Sequence, residues 1–203
     1  SYGYITAMHE AGHSLGLKHP HELGSFSEPT LPTNVDSLEF TVMSYRSYIG
    51  ASTTLGYTNE TFGYPTTPMM LDIQALQTLY GADYTLNASD TTYSWSPTTG
   101  EMSVNGGGQG TPGANRIFLT IWDGGGRDTY NMSNYTNGVS VDLNPGKWSV
   151  NSQDQLAILD VGFSGSVIKS RGTVFNALLF NNDTASMIAV SYTHLRAHET
   201  RED

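Results

Sequence analysis

Residues 9–19 read His-Glu-Ala-Gly-His-Ser-Leu-Gly-Leu-Lys-His, and no other stretch limits so tightly what the chain can become. Ile5, Met8, Ala11, Gly12 and Leu15 recur at helical spacing, which predicts a helix over 4–15 with Gly16 placed to stop it. On that helix His9 and His13 lie one turn apart on one face. Gly16 can take a positive φ that a Cβ resists, so the chain can turn and bring His19 toward the same point. Three imidazoles with a fourth position open describe a catalytic zinc centre, since a structural one is normally closed. Glu10 stands beside the first of them, where a carboxylate can act as general base toward an attacking water. The chemistry implied is amide hydrolysis.

A bare H-E-x-x-H arises by chance in ordinary helices, but the extended motif also specifies Gly16 and His19. Cysteine is absent, so a transition metal here must be held by His, carboxylate or Tyr. His21 follows His19 and Pro20 too closely to share their metal and is expected at the surface. Nine Lys plus Arg against nineteen Asp plus Glu give a net charge of -10, which argues against nucleic acid and anionic membranes as partners. No apolar run approaches the ~18 residues that cross a bilayer, and no basic-then-apolar segment marks an export signal.

A second helix is predicted from Thr67 as N-cap and Pro68 in the first turn, through a stripe of Met69, Ile73, Leu76 and Tyr80, to Gly81. Residues 21–65, rich in Ser, Thr, Gly and Tyr, should be mostly loop, and a loop that long is usually functional. From about Thr85 the pattern changes to short β-branched and aromatic runs between turn signals: 93–95, 116–122, 139–143, 155–159 and 174–180, with Gly106, Gly107 and Gly108 marking a flexible loop. The chain opens inside a helix already under way and is expected to be a fragment. Residues 191–203 resemble a translated sequencing adapter and are set aside, with His194 and His198 given no role.

Thr41-Val42-Met43-Ser44-Tyr45 after the extended motif resembles the Met-turn of the metzincin clan, and the pair His19-Pro20 resembles its serralysin family. Residues 68–77, Leu79-Tyr80-Gly81-Ala82 and the run Trp122-Asp-Gly-Gly-Gly-Arg-Asp-Thr129 are similar to that family too, so the resemblance spans about 4–188. It implies an α+β fold in three parts. Residues 1–84 would be the C-terminal part of a metzincin protease domain, with zinc helix, Met-turn and second helix. Residues 85–190 would be a β-rich segment at the start of the serralysin C-terminal domain, leading toward a calcium-binding β-roll, and 191–203 a non-native tail. The family's upstream sheet and glycine-rich repeats lie outside this sequence, and Ala189 stands where the family has a calcium-binding Glu.

By the same resemblance His9, His13, His19 and Tyr45 would hold Zn2+, with Glu10 and Tyr45 catalytic, the latter leaving the metal to stabilise an oxyanion. Met43 would be the floor beneath the imidazoles. Asn87, Ser89, Thr91, Asp123, Gly125, Gly126 and Asp128 would hold Ca2+; taken without the family, 123–128 is as readily a plain Asp-Gly hairpin turn. The function implied is a secreted, extracellular zinc endopeptidase acting on proteins or peptides, with no nucleic-acid or membrane partner and a monomer expected. A competing reading is a calcium-stabilised secreted binding or structural module keeping a relic zinc site. A relic could lose the base, and here Glu10 persists.

Overall fold

A computed structural model describes residues 1–22 and 30–193. It is a mixed α and β structure with two helices and ten short strands among the described residues. Helix α1 is Tyr2–Ser14 and helix α2 is Met70–Tyr80. The strands are β1 Thr92–Trp95, β2 Met102–Val104, β3 Gly107–Gly108, β4 Leu119–Ile121, β5 Asp128–Met132, β6 Trp148–Ser149, β7 Ile158–Val161, β8 Val167–Lys169, β9 Val174–Asn176 and β10 Ile188–Thr193. They form a five-stranded sheet in the order β10-β5-β1-β2-β3, a three-stranded sheet β4-β9-β6 and a two-stranded sheet β7-β8. In the largest sheet β5 runs parallel to both β1 and β10.

Helix α1 buries Ile5, His9 and Gly12, one face at i, i+4 and i+7. It ends as expected: Leu15 is the C-cap, Gly16 has φ +91°, and Leu17 N donates back to Gly12 O at 3.0 Å.

Helix α2 departs from its expected start. Its N-cap is Met69, and the cap bond comes from inside the helix, where Asp72 Oδ2 accepts from Met69 N at 2.8 Å. Thr67 pairs instead with Thr120, accepting from Thr120 N at 2.8 Å. The buried face is also turned: Met69, Met70, Asp72 and Gln77 are buried, whereas Tyr80 is exposed and donates its hydroxyl to Leu15 O at 2.9 Å. Two polar residues inside and an exposed Tyr are what a purely apolar stripe cannot anticipate.

Residues 30–65 contain neither helix nor strand, as expected for 21–65 among the described residues. In the β half every expected run except 93–95 is shortened or shifted. Residues 139–143 make only one bridge, Ser140 to Val150. Residues 106–108 are no loose loop: Asn105 and Gly106, at φ +50° and +80°, form the tight turn that joins β2 to β3. Strand β10 runs to Thr193, so Ser191, Tyr192 and Thr193 pair with β5, while His194 and His198 lie outside the described residues.

One buried cluster joins the two halves of the chain. Ile5, Leu38, Phe40, Val42, Met43, Tyr64, Met69 and Met70 pack with Phe118, Ala157, Leu159 and Phe175, and a second cluster centres on Tyr93, Trp95, Tyr130 and Met132. Polar ties cross the same boundary. Glu60 Oε1 accepts from Arg116 Nε at 2.6 Å and from Ile158 N at 2.8 Å, and Arg171 N donates to buried Glu39 at 2.8 Å.

Candidate metal centre

The end of α1 and the turn after it bring His9, His13 and His19 together. His19 Nε2 lies 3.1 Å from His9 Nε2 and 3.0 Å from His13 Nε2. The opposite nitrogens set the tautomers. His9 Nδ1 faces Val42 O at 2.8 Å and His13 Nδ1 faces Leu17 O at 2.9 Å, and a carbonyl can only accept, so each Nδ1 carries the proton. Glu22 Oε1 sits 2.9 Å from His19 Nδ1, and the closeness of that imidazole holds the Glu22 carboxyl below its ordinary range. The Nε2 lone pairs of His9 and His13 then face His19 Nε2, an arrangement that suits a shared cation. Zinc at ~2.0–2.1 Å from each nitrogen would set them roughly 3.3 Å apart, a few tenths of an ångström wider than they stand. Burial lowers the pKa of His9, with His13 and His19 adding to the effect, so the neutral form that binds metal is favoured. The donor set fits zinc.

Met43 is 2% exposed and lies under the helix at Gly12, where an added Cβ would stand 2.5 Å from its Sδ. The turn that carries it is pinned by Asp72, which accepts from Thr41 Oγ1 at 2.5 Å and Val42 N at 2.8 Å. A chain of bonds thus runs from α2 through Val42 to His9. Burial pushes the Asp72 carboxyl up to about 6, against the pull of its three donors.

Tyr45 is 37% exposed, and its ring centre lies 4.3 Å from that of His19 and 5.6 Å from that of His9, stacked on the latter. With His9 and Glu10 it lines a cavity of about 360 Å³ that also includes Tyr2, Ile5 and Tyr57. Glu10 is exposed to that space.

His21 is a correction to the surface placement. It is half-buried, its ring stacks on His19 at 5.5 Å and lies 5.2 Å from Tyr45, and its Nδ1 is buried with no hydrogen-bond partner. The cause is the turn closed by Glu22 N to His19 O at 3.3 Å, which folds the ring back. His19, His21 and Glu22 form a second group of closely spaced metal-binding side chains.

About the other expected ion, residues 87–91 and 123–128 do meet. A Cβ on Gly126 would stand 2.6 Å from the Ser89 backbone, so glycine permits the approach. Asp123 and Asp128 are fully buried; Asp123 accepts from Tyr93 Oη at 2.6 Å and Asp128 Oδ1 from Thr91 N at 3.0 Å. Asp128 Oδ2 has no hydrogen-bond partner, and burial, with Asp123 and Asp90 nearby, pushes its carboxyl up to about 6. An orphaned buried carboxylate oxygen beside a second carboxylate suits a hard cation. Asn87, Ser89, Thr91, Gly125 and Gly126 are brought alongside, but Ser89 O and Asn87 O already accept from Thr91 Oγ1, at 2.8 and 3.4 Å.

Residues that the motif did not announce hold the centre: Asp72, Glu22, Tyr57 and the carbonyls of Val42 and Leu17. Of these, Asp72 left a trace in sequence only as part of the run 68–77 that is similar to the serralysin family.

Residues 82–157 match the family model described as Peptidase M10 serralysin C terminal. Over 93% of its length the chain is 32% identical to Metallopeptidase AprA of Pseudomonas marginalis, over 92% it is 32% identical to Serralysin of Photorhabdus luminescens, and over 87% it is 34% identical to Serralysin C of Dickeya chrysanthemi. It spans 39%, 38% and 34% of those proteins' own lengths. The motif residues, the convergence of three imidazoles and these similarities agree: the chain belongs to the serralysin family.

Proposed function

We propose that this chain carries the centre of a secreted zinc endopeptidase that hydrolyses peptide bonds in proteins. The observation that carries the reading is the approach of His9 Nε2 and His13 Nε2 to His19 Nε2, at 3.1 and 3.0 Å, with Glu10 and Tyr45 on the wall of one open cavity. His9, His13 and His19 would hold the ion, with Tyr45 as a further ligand in the resting state. Bound there, zinc would supply Lewis-acid polarisation of the scissile carbonyl and of the attacking water. Glu10 takes the proton from that water and delivers it to the leaving amine. Tyr45 turns its phenol toward the oxyanion and donates to it. Val42 O and Leu17 O keep two imidazoles in the ligating tautomer, and Met43 gives them an apolar floor.

Calcium is the proposed second ion, held by Asp123 and Asp128 with backbone oxygens nearby. Its test is thermal unfolding: Ca2+ should raise the melting temperature, and an unchanged value removes the ion from the reading. Nucleic acid and membrane are no part of the proposal, and the protein acts as a monomer. No helix among the described residues is long and apolar enough to cross a membrane.

Glu10→Gln tests the catalytic assignment. The variant should keep one zinc per chain and lose hydrolysis of a protein substrate by at least about 10²-fold. Strong residual hydrolysis would remove Glu10 as the base. Zinc without hydrolysis in the unaltered protein would favour a relic site in a binding module.

A further inference from the structure

Tyr45 can act only if its phenol is aimed, and the backbone on both sides of it is tied down. Ser44 Oγ donates to Asp36 Oδ1 at 2.6 Å, Arg46 N donates to Ser44 Oγ at 3.0 Å, and Arg46 Nε donates to Asp36 Oδ2 at 3.0 Å. Leu38 N donates to Arg46 O at 2.9 Å. The peptide bond leading into Tyr45 is held at its carbonyl, that of Ser44. It accepts from Tyr57 Oη at 2.8 Å.

Tyr57 reaches that carbonyl from the wall of the cavity that holds Glu10. Its ring is fixed by edge contacts with Tyr2 at 6.2 Å and Tyr64 at 5.8 Å. Burial pushes its phenol above the ordinary range, so the hydroxyl stays protonated and remains a donor at any working pH. Rotating the Ser44–Tyr45 peptide plane by about 10° would carry a phenol oxygen ~6.5 Å away through about 1 Å, an error that can cost on the order of 10²-fold in rate.

We infer that Tyr57 is a positioning residue for Tyr45: its hydroxyl holds the Ser44 carbonyl, and so sets where the Tyr45 phenol points. The same ring lines the cavity, so a substrate side chain seated there presses on the group that aims the phenol. The inference rests on the role given to Tyr45 above.

The test is a double-mutant cycle in the zinc-loaded whole protein with Tyr45→Phe, Tyr57→Phe and both together. Tyr45→Phe should lower kcat by about 10²-fold. Tyr57→Phe, which keeps the ring, should lower kcat by about 3–10-fold with KM within about twofold, and the double variant should be no slower than Tyr45→Phe alone. A second readout needs no turnover. With Cu2+ in place of zinc, the phenol-to-copper absorption band should vanish in Tyr45→Phe and shift or weaken in Tyr57→Phe. Losses that multiply in the double variant, or a Tyr57→Phe protein with native kcat and band, overturn the inference while leaving Tyr45 in place. A Tyr45→Phe protein with native kcat and band overturns both.

Discussion

Gly12 shows how closely single residues are constrained at this centre. It is buried between His9 and His13 of α1, and a methyl group there would stand 2.5 Å from Met43 Sδ, so the buried Met43 side chain must shift. Gly12→Ala is therefore predicted to destabilise the protein by about 1–3 kcal/mol and to weaken zinc retention. Urea unfolding and chelator competition measure the two effects, and native values in both would mean that Met43 does not support the helix. At this scale the motif made the meeting of His9, His13 and His19 legible, because imidazole spacing on a helix is a property of sequence. His21 was misjudged, since its ring is placed by a turn between His19 and Glu22 that spacing arguments do not describe.

Among the elements, α2 matters most to the centre because Asp72 ties it to the turn that orients His9. Its folded pKa of about 6 exceeds the ~3.9 of an unfolded Asp, so the native state binds the proton more tightly. The stabilising contribution is complete below about pH 4 and is lost as pH rises through about 6. Asp72→Asn should flatten the stability profile across that window, because the amide oxygen can still accept from Val42 and Met69 while Thr41 turns to accept. Urea unfolding between pH 4 and 7 checks this, and identical slopes in the two proteins would contradict it. Both helices could be read from periodicity and from Gly16 and Gly81. The N-cap of α2 could not, because a carboxylate from the third helical residue took the place expected of Thr67. The strand expectations ran long because runs such as 139–143 have β-like composition but find only one bridging partner.

The whole molecule has a composition boundary near residue 84 but shares its core across it, with Phe118, Ala157, Leu159 and Phe175 packed against Ile5, Val42 and Met43. Composition senses what each segment is made of and says nothing of what it packs on, so this joint core was not legible. Its consequence is functional: the β half buttresses the turn beneath the imidazoles, and Glu60 and Arg171 reinforce the seam. The central claim is one zinc ion at the convergence of His9, His13 and His19, and an anomalous difference map collected at the zinc absorption edge from crystals of the protein tests it most directly. The predicted result is a single peak about 2.0–2.1 Å from the three Nε2 atoms. No peak there, or a peak held instead by His21 and Glu22, would contradict it.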